Sequence, residues 1–146
     1  MKKTVYLFDE NWNKVMFQYN ELSELKEEFQ KRGITIGDGA SIGDGASIGY
    51  GASIGDGASI GDGASIGDGA SIGYRVKLQK NLYIIGSKHA VTYTGNNTLS
   101  IGCHNYSIDK WLEKFEIVGQ KEGYSDVQIQ EYKQYILIAK TFSEIN

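Results

Sequence analysis

Two histidines and one cysteine are the residues whose side chains could carry acid–base or nucleophilic chemistry in this chain. His89 lies in the segment Gly86–His89, and His104 directly follows Cys103. An imidazole can act as a general base near neutral pH, and a thiol becomes a nucleophile when a base lies beside it. A single cysteine excludes an intrachain disulfide and a multi-cysteine zinc site. His89 is the candidate base if the chain is an enzyme, and an ordinary polar histidine otherwise. We expect Cys103 to be a small buried residue.

A cluster of basic and aromatic residues begins where the glycine-rich part of the chain ends. Its members are Tyr74, Arg75, Lys77, Lys80, Tyr83 and Lys88. Cationic groups beside aromatic rings can hold a phosphate and a base. The cluster therefore predicts a site for a small anion, such as the phosphates of coenzyme A or a nucleotide. The alternative is a solvated basic rim. The net charge of −3 argues against binding of duplex nucleic acid.

The elements that must position these residues are dominated by a six-residue repeat. Isoleucine recurs at positions 36, 42, 48, 54, 60, 66 and 72, and Leu78 and Ile84 keep the same spacing. Within each Ala-Ser-Ile, strand alternation points Ala and Ile to one side and Ser to the other. Gly-Asp-Gly then forms a corner, because glycine tolerates a positive φ. The pattern predicts short strands joined by corners around an apolar interior.

This pattern resembles the hexapeptide-repeat family over residues 34–85. The resemblance implies a left-handed parallel β-helix with three hexads in each coil, about three coils in this chain, and a homotrimer around a threefold axis. Residues 18 apart would then stack at a spacing of about 4.8 Å. One corner column would hold Asp38, Asp56 and Tyr74. We expect solvated charges at the corners and no metal site, with a ladder of calcium ions as the alternative.

Residues 1–33 predict a cap for the open end of the β-helix. Thr4–Phe8 and Val15–Tyr19 have the pattern of two strands, and Asn20 is expected to cap a helix that ends at Gly33. The open end of a β-helix exposes strand edges, which proteins usually cover. We therefore predict that this ββα unit covers the first coil.

Residues 86–146 predict a hairpin and two helices after the repeat. Together with the β-helix and the strands of the N-terminal cap, these elements make the whole chain mainly β. The hairpin joins Val91–Thr94 to Thr98–Cys103, and the helices begin at Ser107 and Ser125. Apolar residues at helical spacing give each helix one apolar face. The runs SIGCHNYSIDKWLEKF and GYSDVQIQEY also resemble C-terminal segments of phage-encoded hexapeptide-repeat proteins.

Three functions agree with these features. The first is a non-catalytic trimeric binding or scaffold protein that holds a small, nucleotide-like anion in grooves between subunits, which could be a phage-type sequestering protein. The second is an acyltransferase, the activity for which the family is best known, with His89 as base, Arg75 and Lys77 on the phosphates and a coenzyme A thioester as cofactor. The third is a structural spacer or adhesin segment. Near-identical hexads and a repeat without a loop insertion favour the first.

The N-terminal apolar run is too short for the core of a signal peptide. No stretch of the sequence reaches the roughly 18 apolar residues of a membrane span. We therefore expect a soluble cytoplasmic protein whose main partner is a second and third copy of itself.

Overall fold

The centre of the molecule is a stack of short parallel strands that repeats every 18 residues. A computed structural model describes residues 2–78 and 81–145 of the chain. Ser53 pairs with Thr35 on one side and with Ser71 on the other, and the same step relates the other strands. These strands form the columns β3-β6-β9, β4-β7-β10 and β5-β8, so the centre is a parallel β-helix. The strands are β3 (Thr35–Ile36), β4 (Ser41–Ile42), β5 (Ala46–Ile48), β6 (Ser53–Ile54), β7 (Ser59–Ile60), β8 (Ser65–Ile66), β9 (Ser71–Ile72) and β10 (Lys77–Leu78).

Isoleucine and alanine fill the interior of this β-helix. Ile42, Ile54 and Ile66 are buried, as are Ala46 and Ala58. The serines between them remain partly or fully exposed. Each buried isoleucine contributes about 1.5–3 kcal/mol, so a column of branched side chains stabilises the stack. The predicted inward and outward faces of the hexad are confirmed.

Two strands and a short helix precede the repeat. They are β1 (Lys3–Phe8), β2 (Lys14–Tyr19), a 3₁₀ turn (Leu22–Leu25) and α1 (Lys26–Lys31). β1 pairs antiparallel with β2 and parallel with β5, so it extends one column of the β-helix. The predicted capping role of Asn20 is wrong. The helical turn starts one residue later, because the Glu21 N–H donates to the Glu24 carboxylate at 2.9 Å.

A sheet and two helices follow the repeat. They are β11 (Tyr83–Ile85), β12 (Ala90–Gly95), β13 (Thr98–Ile101), β14 (His104–Ser107), α2 (Ile108–Lys121) and α3 (Asp126–Ile145). Trp111 of α2 and Ile136 of α3 pack with Leu99 in a second core. Ser107 caps α2, and Ser125 exchanges hydrogen bonds with Gln128 at the start of α3, as predicted. Among the described residues, no helix is long and apolar enough to span a membrane.

The structure differs from the sequence expectation at both edges of this antiparallel sheet. The strand expected to run to Cys103 ends at Ile101, because Gly102 has a φ of +57° and turns the chain. The next strand, β14, is largely polar and was not predicted. At the opposite edge, Ile84 keeps the six-residue spacing in sequence. Its strand β11 nevertheless pairs antiparallel with β12, so the last parallel strand of the repeat is β10.

Candidate functional site

The corner aspartates connect successive coils of the β-helix. The Asp56 carboxylate accepts a hydrogen bond from the Asp38 N–H at 2.8 Å, and the Asp62 carboxylate accepts one from the Asp44 N–H, also at 2.8 Å. Asp68 makes the same contact at 2.9 Å with the backbone N–H of residue 50. Each carboxylate therefore pairs a backbone donor of the preceding coil. The expectation of solvated corner charges misses this structural role.

One corner departs from this arrangement and carries an aromatic ring and a cation. Tyr74 is 67% exposed, and the Arg75 guanidinium carbon lies 5.0 Å from the centre of its ring. Arg75 has a φ of +56°, whereas Gly39 and Gly57 hold the two preceding positions of the column with φ values of +75° and +69°. A non-glycine residue therefore occupies a conformation that the repeat reserves for glycine. The corner loses a carboxylate and gains a stacked cation.

The remaining members of the predicted basic cluster are distributed over several elements. Lys77 is exposed on β10, and Lys80 lies outside the described residues. Tyr83 is half-buried in β11, where burial raises the pKa of its hydroxyl. Lys88 donates from its ammonium group to the Glu122 carbonyl at 2.8 Å, just after the end of α2. The structure thus places Lys88 against the two-helix segment, whereas Arg75 lies over the ring of Tyr74 at a corner of the β-helix.

His89 is held by two tyrosines of the C-terminal segment. Its Nδ1 lies 2.6 Å from the Tyr124 hydroxyl. The Tyr132 hydroxyl accepts a hydrogen bond from the His89 N–H and donates one to the His89 carbonyl, both at 2.6 Å. The preceding residue Ser87 donates twice to Glu131 of α3. This network fastens the loop before β12 to α3, so His89 has a structural role in the fold.

The electrostatics of His89 favour its neutral form. Burial lowers the pKa of the imidazole, although the negative charges of Glu122 and Asp68 oppose the shift. Burial also raises the pKa of the Tyr124 hydroxyl, which is therefore protonated near neutral pH and can donate to Nδ1. A neutral imidazole is the form that a general base requires. The Nδ1 of this imidazole is already hydrogen-bonded to the Tyr124 hydroxyl.

Cys103 and His104 lie at the turn and strand next to this network. Cys103 is exposed beside Gly69, so the prediction that it is buried is wrong. It lies in the turn between β13 and β14, whereas the prediction placed it within a strand. The His104 Nε2 lies 2.8 Å from a Glu122 carboxylate oxygen, and this hydrogen bond lowers the pKa of Glu122.

Sequence reasoning missed the partners of His89 and Lys88. Glu122, Tyr124 and Tyr132 lie 34 or more residues further along the chain. Tyr132 was predicted only as part of a helix face, and the other two lie between the predicted helices. The sequence itself offers only a glycine at position 86, and in the structure that position leaves no room for a side chain. A Cβ atom at that position would lie 2.4 Å from the Tyr132 hydroxyl.

Residues 33–68 match the family model described as bacterial transferase hexapeptide (six repeats). No curated protein and no solved structure matches the chain. The matched stretch contains strands β3 to β8, which form the regular part of the β-helix. The chain therefore carries a hexapeptide-repeat segment, and the resemblance on which the expected fold depends is confirmed there. The hexapeptide-repeat family includes both transferases and structural proteins.

Proposed function

We propose that the protein is a non-catalytic binding or scaffold protein, assembled as a homotrimer of left-handed β-helices, that holds a small nucleotide-like anion at Tyr74 and Arg75. The supporting observation is the break in the repeat at this corner. The preceding corners of the column carry Asp38 with Gly39 and Asp56 with Gly57. Replacing this pair by a tyrosine and an arginine supplies a stacking surface and a cation together.

The break carries a cost in stability that the fold itself does not require. A left-handed conformation costs a non-glycine residue roughly 1–2 kcal/mol, and Arg75 adopts it. In the preceding coil the Asp56 carboxylate accepts a hydrogen bond from the Asp38 N–H. Tyr74 has no carboxylate to accept the equivalent hydrogen bond from the Asp56 N–H. Strained backbone tends to be retained where function uses it. The ring and the guanidinium suit a base and a phosphate.

Association of subunits would give the exposed corner a second wall. Many hexapeptide-repeat proteins form trimers, and in a threefold arrangement the Tyr74–Arg75 pair would lie in three equivalent grooves. Lys77, exposed two residues further along, would add a second cation near the groove. Sequestration of a nucleotide by a phage-type protein is one biological form of this proposal. The acidic net charge of the chain favours a small anion over duplex nucleic acid.

An acyltransferase that uses a coenzyme A thioester is the second candidate, and His89 is the observation that favours it. Its neutral form suits a general base. Its hydrogen bond to Tyr124 and the two hydrogen bonds of its backbone with Tyr132 fit a structural role equally well. The binding function is therefore the main proposal, because within residues 2–78 and 81–145 the side chains of Tyr74 and Arg75 form no hydrogen bond that would hold them in the fold.

The test restores the consensus at the break. In the double variant Tyr74→Asp/Arg75→Gly the corner is again Gly-Asp-Gly, so we expect a melting temperature equal to or above that of the parent. We expect its affinity for AMP and for coenzyme A to fall about tenfold or more, as the loss of a charge-assisted contact implies. Isothermal titration calorimetry measures the affinities. Native mass spectrometry of freshly purified parent protein counts the subunits and identifies any bound anion.

A matched control removes one exposed cation elsewhere. Lys140→Gln on α3 should leave both affinities unchanged. Equal affinity in the parent and the double variant would overturn the anion site, and a monomer would overturn the groove between subunits. Turnover of acetyl-coenzyme A that disappears in a folded His89→Ala variant would support the acyltransferase instead.

A further inference from the structure

A groove lies between β14 and α2, in the antiparallel part that follows the repeat. Its volume is about 200 Å³. The lining residues are His104, Tyr106, Lys114, Ile117, Val118 and Lys121. None of them belongs to the Tyr74–Arg75 corner or to the residues proposed above. The groove is therefore a separate candidate for binding.

The secondary structure explains why these residues share one groove. His104 and Tyr106 are two apart on β14, so both side chains lie on the same face of the strand. The helical residues 114, 117, 118 and 121 follow the spacing i, i+3, i+4 and i+7, which is one stripe of α2. The groove is thus a strand face set against a helix stripe.

The walls of the groove are aromatic and apolar. The rings of His104 and Tyr106 are inclined by only 14°, with centres 6.4 Å apart. Trp111 meets Tyr106 edge-on from the core, with ring centres 5.1 Å apart, and so supports that ring from behind the groove. Ile117 is 57% exposed, so its side chain can be reached from solvent. A flat apolar group would cover both the rings and this isoleucine.

The charges of the groove leave two cations available. Glu122 is paired with His104, so its carboxylate is already used. Within residues 2–78 and 81–145, Lys114 and Lys121 form no ion pair with a carboxylate. The Lys114 ammonium lies 5.4 Å from the centre of the Tyr106 ring. The groove therefore combines an apolar surface with a net positive charge.

We propose that this groove binds a small aromatic anion, meaning a single ring that carries a carboxylate or phosphate group. A cavity of about 150 Å³ accommodates benzene, so a groove of about 200 Å³ accommodates one ring with the anionic group towards its opening. The ring would stack on Tyr106 and contact Ile117. The anionic group would pair with Lys114 and Lys121. Neither a free anion nor a neutral ring would use both features.

Phenyl phosphate is the probe that tests this proposal on the full-length protein. In an NMR titration we expect the Ile117 methyl and His104 ring signals to shift in a saturable way. Inorganic phosphate and benzyl alcohol should each bind at least about tenfold more weakly, because each lacks one half of the interaction. The double variant Lys114→Gln/Lys121→Gln should also weaken phenyl phosphate binding by about tenfold or more, since charge-assisted contacts are the stronger ones.

The control is a lysine that also faces an aromatic ring but lies outside the groove. Lys133 on α3 has its ammonium 5.9 Å from the centre of the Phe115 ring, and Lys133→Gln should bind phenyl phosphate as the parent does. Three results would overturn the proposal: inorganic phosphate binding equally well, benzyl alcohol binding equally well, or undiminished binding in the Lys114/Lys121 variant with an unchanged melting temperature. Shifts confined to Tyr74 and Arg75 would assign the probe to the other site.

Discussion

Each full hexad contains two glycines, and the structure shows a different reason why each position requires glycine. A Cβ atom on Gly43 would lie 2.4 Å from the backbone nitrogen of Asp62 in the next coil. Gly63 has open space around it, but its φ is +70°. The first glycine of the corner is therefore required by the close approach of two coils. The second is required by the backbone conformation.

This difference predicts two unequal alanine substitutions. Gly63→Ala should lower the free energy of unfolding by about 1–2 kcal/mol, the cost of a left-handed conformation. Gly43→Ala should lower the free energy of unfolding more than Gly63→Ala does. Its added methyl group must displace the backbone of the next coil, and overpacking of this kind adds roughly 1–3 kcal/mol to the cost. Urea unfolding at one protein concentration measures both values. Equal costs, or a larger cost for Gly63→Ala, would contradict the assignment of the two roles.

At the scale of single residues, the sequence predicted directions better than contacts. Strand alternation placed Ile54 inside and Ser53 towards the surface, because that choice depends only on the period of two. The hydrogen bond from the Asp38 N–H to the Asp56 carboxylate depends on how closely two coils approach. Cys103 was misplaced for a similar reason, since a turn of two residues decided its exposure.

Among the elements, the C-terminal end of the β-helix shows how a repeat can stop. Three side chains occupy positions that another coil would fill. Asn81 accepts from the Ser65 N–H at 2.9 Å and donates to the Ser65 carbonyl at 2.8 Å. The Thr92 hydroxyl accepts from the Gly67 N–H at 2.9 Å, and the side-chain Oδ1 of Asn105 accepts from the Ser71 N–H at 3.1 Å. Side-chain groups thus replace the missing backbone partners.

The side-chain amide of Asn81 is the best of these contacts to test, because it forms two hydrogen bonds with the backbone of Ser65. Asn81→Ala should lower the free energy of unfolding by about 1–3 kcal/mol, the cost of leaving a partly buried backbone group unpaired. Asn81→Asp keeps an acceptor but no donor, so it should lie between the parent and the alanine variant. Asn11→Ala, on the exposed loop after β1, should change stability by no more than about 0.5 kcal/mol. Chemical denaturation distinguishes the four proteins, and an Asn81→Ala variant as stable as Asn11→Ala would show that the end needs no such partner.

Elements with a strong period were predictable, and those defined by their neighbours were not. The short strands of the repeat and both long helices followed from spacing, and the parallel arrangement of the strands followed from the family resemblance. β14 has no apolar alternation, and its place is set by pairing with β13 and by Asn105 at the end of the β-helix. β11 kept the hexad spacing at Ile84 and still joined the other sheet, because β12 offered an antiparallel partner.

The molecule as a whole consists of a uniform stack between two different ends. β1 contacts the stack at β5, where the Thr4 carbonyl accepts from the Gly45 N–H at 2.7 Å. Asn81, Thr92 and Asn105 contact it at the opposite end. Between these ends the backbone hydrogen bonds repeat from coil to coil, as the Gly43 N–H donates to the Ile60 carbonyl and the Gly61 N–H to the Leu78 carbonyl. The stability of such an array is close to a sum over coils and their interfaces.

This sum predicts that the stack tolerates an added coil. Inserting three IGDGAS hexads, 18 residues, between Ser59 and Ile60 preserves every corner column and both ends. We expect a folded protein with a melting temperature at or above that of the parent, because a coil and an interface are gained. Inserting only the three residues Gly-Ala-Ser should abolish cooperative unfolding, since it moves polar residues into the inward positions. Circular dichroism during heating compares the two, and a destabilised 18-residue insertion would show that the ends depend on each other.

At this scale the arrangement of the candidate residues could not be read from the sequence. The basic residues lie close together along the chain, and proximity in sequence suggested one site. In the structure, Arg75 stays on a corner of the stack while Lys88 turns towards the helices. That separation arises because the chain leaves the coil after β10, a change that no spacing in the hexads marks.

The near identity of the hexads also bears on how the chain finds its native alignment. A strand that is displaced by a hexad still places Ser beside Ser and Ile beside Ile, so misaligned stacks lose few contacts. Native register is distinguished chiefly by the ends, through Thr4 with Gly45 and Asn81 with Ser65. Weak register specification of this kind roughens a folding landscape with competing near-native states. The rate of folding of the β-helix should therefore be limited by the correction of strands paired in the wrong register. The contacts at the two dissimilar ends select the native register.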